Sequence, residues 1–266
     1  MARQIRVRRS AGGAALTLTL ALGIAALAGC GGGASKKAPT TPEELPAQDK
    51  VRMAQSYLGA GRTGEAMALI EQAIADEPAN AQLQLFYGKI NYQAGKLEQA
   101  ERAFGRALEL DAYLTDAHNL LGAVYANTNR PAEAEREFRT ALANPAYPTP
   151  EMVYLNLALL YSSQGRNGEA ISNLRSAVEI SPKYYQAHFE LASLLDREGN
   201  IEEAAREYEV ALPAYRNVGE FHYRLGFAYF RLGERTKARE SLERAISVAP
   251  GSNSAAQADE LLNMME

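Results

Sequence analysis

The chain has a single cysteine, Cys30, and only three histidines. One thiol cannot close an internal disulfide, and no second cysteine joins the histidines in a set with zinc-ligand spacing. Absent as well are a nucleophile elbow, a phosphate-cradling glycine loop and a paired acidic motif. Ser162, Ser163 and the scattered glutamates read as helix surface. These absences argue against an enzyme, a metal, a cofactor and a small-molecule substrate. Nor is there a basic stripe: the formal charge is −4, which argues against nucleic acid as a partner. The hydrophobic share of 47% is ordinary, pointing neither to disorder nor to a polytopic membrane protein.

What is present begins with a sorting signal. Met1–Ser10 is basic, and Ala11–Ala28 is apolar and uncharged, the layout of a secretory signal and short for a membrane span. It ends Leu27-Ala28-Gly29-Cys30. That small-residue box resembles the bacterial lipoprotein processing site. The resemblance implies cleavage before Cys30 and lipid on its sulfur and new amino group; the other reading is an ordinary signal with an incidental thiol. Losing residues 1–29 removes Arg3, Arg6, Arg8 and Arg9 and no acid, leaving 24 bases against 32 acids, a net charge of −8. Several acyl chains at about 0.8 kcal/mol per buried methylene make a stable anchor. Gly31, not Asp, follows the cysteine; by resemblance to enterobacterial sorting, the expected place is the periplasmic face of the outer membrane. Residues 31–46, GGGASKKAPTTPEELP, lack apolar periodicity and form with Cys30 a lipidated tether, able to span about 50 Å when extended.

From residue 47 the chain repeats. Units of 34 residues begin at 47, 81, 115, 151, 185 and 219, with one step of 36. Position twenty is always alanine: Ala66, Ala100, Ala134, Ala170, Ala204 and Ala238. Position eight is Ala or Gly, and position twenty-seven is again alanine. Position fifteen is Gly61, Gly95, Gly165, Gly199 and Gly233, with Asn129 in unit three, residues suited to a left-handed helix stop. The spacing predicts first helices over 47–60, 81–94, 115–128, 151–164, 185–198 and 219–232. Second helices are expected over 63–76, 97–110, 131–144, 167–180, 201–214 and 235–248. Large residues fill positions eleven and twenty-four; Asn91 departs from the tyrosine found at most position elevens, and Tyr92 stands beside it as a partial replacement.

A period of this length marks a stack of helical hairpins, and over residues 47–252 the chain resembles the tetratricopeptide repeat (TPR) family. The resemblance implies an all-α fold: a right-handed TPR superhelix, or α-solenoid, of six helix-turn-helix repeats (47–80, 81–114, 115–148, 151–184, 185–218 and 219–252). Residues 253–266, apolar at Ala255, Ala256, Ala258, Leu261, Leu262 and Met265, are expected to form a capping helix. The three histidines, His118, His188 and His222, share position four and read as packing residues.

In TPR folds the first helices line the concave face. By that resemblance the partner-binding groove comprises Val51, Leu58, Leu85, Tyr92, Asn119, Asn127, Met152, Leu155, Leu159, Phe189, Tyr223, Phe227 and Phe230. Such an apolar line suits an amphipathic helix or an extended apolar peptide.

Between units three and four stands Asn144-Pro145-Ala146-Tyr147-Pro148-Thr149-Pro150, a stiff connection. Signal, six units and this connection together resemble the type IV pilus biogenesis and stability lipoproteins, the secretin pilotins. That implies a lipid-anchored scaffold that binds secretin subunits and promotes their outer-membrane localisation and multimer assembly for twitching motility. A general TPR envelope scaffold for cell-wall or polysaccharide-export machinery is the alternative.

Overall fold

In every unit the first helix is stopped by the same hydrogen bond. The position-sixteen amide donates to the position-eleven carbonyl: Arg62 to Tyr57 at 2.8 Å, and Lys96 to Asn91, Arg130 to Tyr125, Arg166 to Tyr161, Asn200 to Leu195 and Glu234 to Tyr229 at 2.9 Å. This closure needs a left-handed residue just before it, and position fifteen supplies one, with φ between 72° and 84° at the five glycines and 58° at Asn129. The chain then reverses within three residues and begins the second helix antiparallel to the first.

The computed structural model describes residues 44–266. The expected signal segment, Cys30 and the tether up to residue 43 lie outside the described residues. Among the described residues thirteen α-helices follow one another: α1 Ala47–Gly59, α2 Thr63–Asp76, α3 Ala81–Gln93, α4 Leu97–Leu110, α5 Thr115–Asn127, α6 Pro131–Leu142, α7 Pro150–Ser163, α8 Asn167–Ile180, α9 Tyr185–Arg197, α10 Ile201–Tyr215, α11 Gly219–Arg231, α12 Arg235–Val248 and α13 Asn253–Met264. No strand occurs among the described residues. Each first helix packs on the second helix of its own unit and, from α3 on, also on the second helix of the unit before.

Small residues set the spacing. The six position-twenty alanines have no exposed surface, nor do Ala73, Ala107, Ala141, Ala177, Ala211 and Ala245. At position eight the approach is closer still: a Cβ on Gly88 would stand 2.4 Å from the Phe104 ring, and one on Gly122 2.7 Å from Phe138. In units two, three and six the position-twenty-four side chains Phe104, Phe138 and Leu242 therefore sit where a position-eight Cβ would be.

Three local expectations are corrected. Helix α6 ends at Leu142, two residues early, because Asn144 turns back and donates Nδ2 to the Thr115 hydroxyl at 2.9 Å. Tyr92 does not replace the missing tyrosine: Asn91 itself is buried there, donating to the Tyr87 carbonyl at 2.9 Å, while Tyr92 faces the groove. On α13, Ala255, Ala258, Leu261 and Met265 are buried but Ala256 is exposed. That helix lies against α11 and α12, its start capped by Ser252, whose hydroxyl accepts from the Ala255 amide at 3.1 Å.

Candidate binding groove

First helices of successive units approach one another, α3 to α5 and α5 to α7, and no two second helices of the described residues come equally close. The stack therefore curves with the first helices inside, and their outward faces form a groove. A repeated bond runs along it. The position-thirteen side chain donates to position twelve of the preceding unit: Asn127 Nδ2 to the Tyr92 hydroxyl at 3.0 Å, Arg197 Nη2 to Ser162 Oγ at 3.1 Å and Arg231 Nη1 to Asp196 Oδ1 at 2.7 Å.

The residues expected to line this groove divide by exposure. Met152 and Leu159 are 45% and 41% exposed. Asn127 is also exposed, and Val51, Leu58, Tyr92, Phe189, Tyr223, Phe227 and Phe230 are half-buried. Leu85, Leu155 and Asn119 are interior, only 3 to 5% exposed, and cannot meet a partner as expected. All three occupy position five in the middle units, whereas Val51, Phe189 and Tyr223 at the same position of units one, five and six stay half-buried. Leu85 shares a core cluster with Ala117, Leu121 and Val124 of α5, and Asn119 accepts from Asn156 Nδ2 at 2.9 Å.

Position six was missed by sequence reasoning. It lies four residues after position two and three before position nine, hence on the same helical face, which is the signal that finds it. It places Phe86, Asn156, Glu190 and Arg224 in the groove. Phe86 joins Val51 and Leu83 around a cleft of about 340 Å³ between α1 and α3. Glu190 and Arg224 line a second, of about 350 Å³, with Leu159, Phe189 and Leu194. Farther along, Tyr223 and Phe227 stack at 6.1 Å between centroids, and the Arg231 guanidinium stands 5.8 Å from the Phe227 ring centre.

A polar belt separates the two clefts at unit three. Lys89 Nζ bonds Asp116 Oδ2 at 2.9 Å, and the Tyr147 hydroxyl donates to Asp116 Oδ1 at 3.0 Å. Burial pushes the Asp116 carboxyl up, but the Lys89 hydrogen bond and charge and the Tyr147 hydroxyl together leave it below its ordinary value. Tyr147 belongs to the proline-rich connection and is buried, so that segment is fastened to the groove floor.

The histidines work locally. Each places Nε2 against a carbonyl six residues upstream: His118 on Ala112 at 3.2 Å, His188 on Pro182 at 3.1 Å and His222 on Arg216 at 2.9 Å. Since a carbonyl only accepts, Nε2 carries a proton. Nδ1 of His118 lies 2.8 Å from Glu137 and that of His188 2.5 Å from Glu207. The Glu137 hydrogen bond holds the His118 imidazole above its ordinary value. Among the described residues no group of three or more His, Cys, Asp or Glu is arranged to hold a metal, and no helix is long and apolar enough to cross a membrane.

Comparison with known proteins agrees with this geometry. Family profiles described as tetratricopeptide repeat match residues 57–112, 161–223, 219–252 and 92–149. The chain is similar to the type IV pilus assembly protein PilF of Pseudomonas aeruginosa, 23% identical over 192 residues, covering 59% of this chain and 75% of that protein. Among solved structures it resembles PilW, a type IV pilus biogenesis factor, at 24% identity and TM-score 0.70, covering 81% of this chain and 98% of that one. It also resembles the structure of Pseudomonas aeruginosa PilF, at 17% identity and TM-score 0.73, covering 84% and 100%. The chain spans less than two thirds of the length of the first curated relatives it matches, 23% of one and 56% of the next. With six registers of one hairpin and repeat profiles along nearly all of them, the chain belongs to the tetratricopeptide-repeat family.

Proposed function

We propose that the protein is a lipid-anchored TPR scaffold, not an enzyme, that binds secretin subunits and promotes their localisation and multimer assembly at the outer membrane for type IV pilus biogenesis. The similarity to PilF, which extends over 75% of that assembly protein, is the observation that carries the pilus assignment. The groove supports a protein as the ligand: it offers an open line of apolar side chains broken by polar groups, and no cluster of catalytic groups.

The division of labour is physical. Lipid on Cys30 fixes the place, the tether gives reach, and Met152, Leu159, Phe189, Tyr223, Phe227 and Phe230 shield an apolar secretin segment until subunits join. In the N-terminal half, Val51, Leu58 and Tyr92 extend the same surface. Deleting the gene leaves secretin monomers but no heat-resistant multimer, as read on a denaturing gel of membrane fractions. Normal multimers in the deletant contradict the assignment. Replacing Cys30 by Ser releases the protein from the membrane fraction and removes incorporation of labelled palmitate.

A further inference from the structure

Glu190 is the carboxylate of the C-terminal cleft, and no side chain or backbone group of the described residues hydrogen-bonds to it. It is half-buried beside Leu159, Phe189 and Leu194, and among the described residues nothing gives it a hydrogen bond or an ion pair. Two arginines line the cleft with it, and their hydrogen bonds go to other groups: Arg224 Nε donates to Glu220 at 2.8 Å and Arg197 Nη2 to the Ser162 hydroxyl at 3.1 Å. Burial pushes the Glu190 carboxyl up, against the weaker opposing pull of Arg224 and Arg197. A carboxylate partly stripped of water gains most from a donor delivered with the ligand. The formal charge of −4 adds a long-range attraction for cationic partners.

We propose that this cleft takes an apolar protein segment bearing one lysine or arginine, whose head group docks on Glu190 while its stem and its neighbours lie on Leu159 and Phe189. A basic side chain suits such a place because its aliphatic stem covers apolar surface while its tip reaches the acid. The belt of Lys89, Asp116, Tyr147, Asn119 and Asn156 interrupts the apolar run on one side, so the segment is short. Three first helices at about 8–10 Å per layer give roughly 20 Å, the reach of about six extended residues. The inference rests on the groove being a protein-binding surface.

The test uses three fluorescein-labelled nonapeptides of alternating leucine and serine that differ only at the centre, which is lysine, norleucine or glutamate. Their binding to the full chain is read by anisotropy. The lysine peptide binds about tenfold tighter than the norleucine peptide, as a charge-assisted hydrogen bond provides, and the glutamate peptide binds weakest. In Glu190→Gln, which preserves shape, the lysine advantage disappears while the norleucine affinity is unchanged. Leu159→Asp weakens all three. Equal binding of the lysine and glutamate peptides, or a lysine advantage that survives Glu190→Gln, overturns the role of Glu190 and leaves the groove standing. Failure of all three peptides to bind the unaltered chain overturns the groove reading with it.

Discussion

Asn127 donates a hydrogen bond to the Tyr92 hydroxyl 35 residues earlier, and Arg197 to Ser162 and Arg231 to Asp196 repeat that separation. The interval is one repeat plus one residue, so each bond ties the end of one first helix to the end of the one before. The joint between units three and four has Ala126 and Ser163 at these positions, one without a polar side chain, and the period there is 36. There the fastening passes to Asn156, which donates to Asn119 across the joint. The curvature of the groove is thus set partly by side chains that also line it.

The strongest rung is Arg231 on Asp196, whose carboxylate is 16% exposed. Asp196→Ala lowers the unfolding free energy by about 1 kcal/mol, a figure limited by the open guanidinium. The loss shrinks in 1 M salt. Urea denaturation of both proteins at two salt concentrations checks it, and an unchanged difference counts against the rung.

Two kinds of glycine are distinguishable by substitution. Gly88→Ala forces a methyl against the Phe104 ring and costs about 2 kcal/mol by overpacking. Gly165→Ala meets nothing within 4 Å, and its cost of about 1 kcal/mol comes from the backbone at φ 72°. Asn129→Gly, at φ 58°, is neutral or stabilising. Thermal denaturation ranks the three.

The His118–Glu137 pair gives the fold a stability window. Its hydrogen bond to His118 leads the causes that lower the Glu137 carboxyl, and Arg136 at 3.2 Å adds to them. A depressed acid contributes stability above its unfolded value, lost as pH falls through the folded one. A raised imidazole contributes below its unfolded value, lost as pH rises through the folded one. Both contributions are present between about pH 4.5 and 6.5, from the ordinary values of the two groups. Glu137→Gln is therefore most destabilising near pH 5.5 and less so at pH 9, measured by urea denaturation across pH. A cost that does not change with pH would show the pair to be uncharged.

Leu155 and Leu159 separate folding from binding. Leu155 is 3% exposed and Leu159 41%. Leu155→Asp buries a charge and costs more than about 3 kcal/mol, lowering the helical circular dichroism and the melting temperature. Leu159→Asp leaves both within the range of surface substitutions, about 0.5 kcal/mol, while reducing partner capture.

The hairpin stack was legible because the alanines, the large residues and the position-fifteen stop repeat in fixed register, and each is tied to backbone geometry. The groove was legible only in part. A family rule for concave positions treats every unit alike, and so it assigned Leu85, Asn119 and Leu155 to the surface together with Val51, Phe189 and Tyr223 at the same position. Burial of position five depends on the neighbouring unit, as Asn156 reaching Asn119 shows. The recurrent stacking of the position-sixteen cation on the position-eleven ring, with Arg62, Arg130 and Arg166 at 4.1 to 4.2 Å from Tyr57, Tyr125 and Tyr161, was visible as a Tyr-x4-Arg spacing and went unread. The Tyr147 contact was not readable, since it ties the irregular connection back 31 residues to α5.

Site-specific photocrosslinking tests the concave surface most directly. A benzoylphenylalanine is placed in the groove at Leu159 or Phe227, or on the exposed face of a second helix at Arg106 or Glu240, in cells making the secretin. The groove positions are expected to yield a secretin adduct and the second-helix positions none. Adducts confined to Arg106 or Glu240 would place the partner on the outer face and contradict the account.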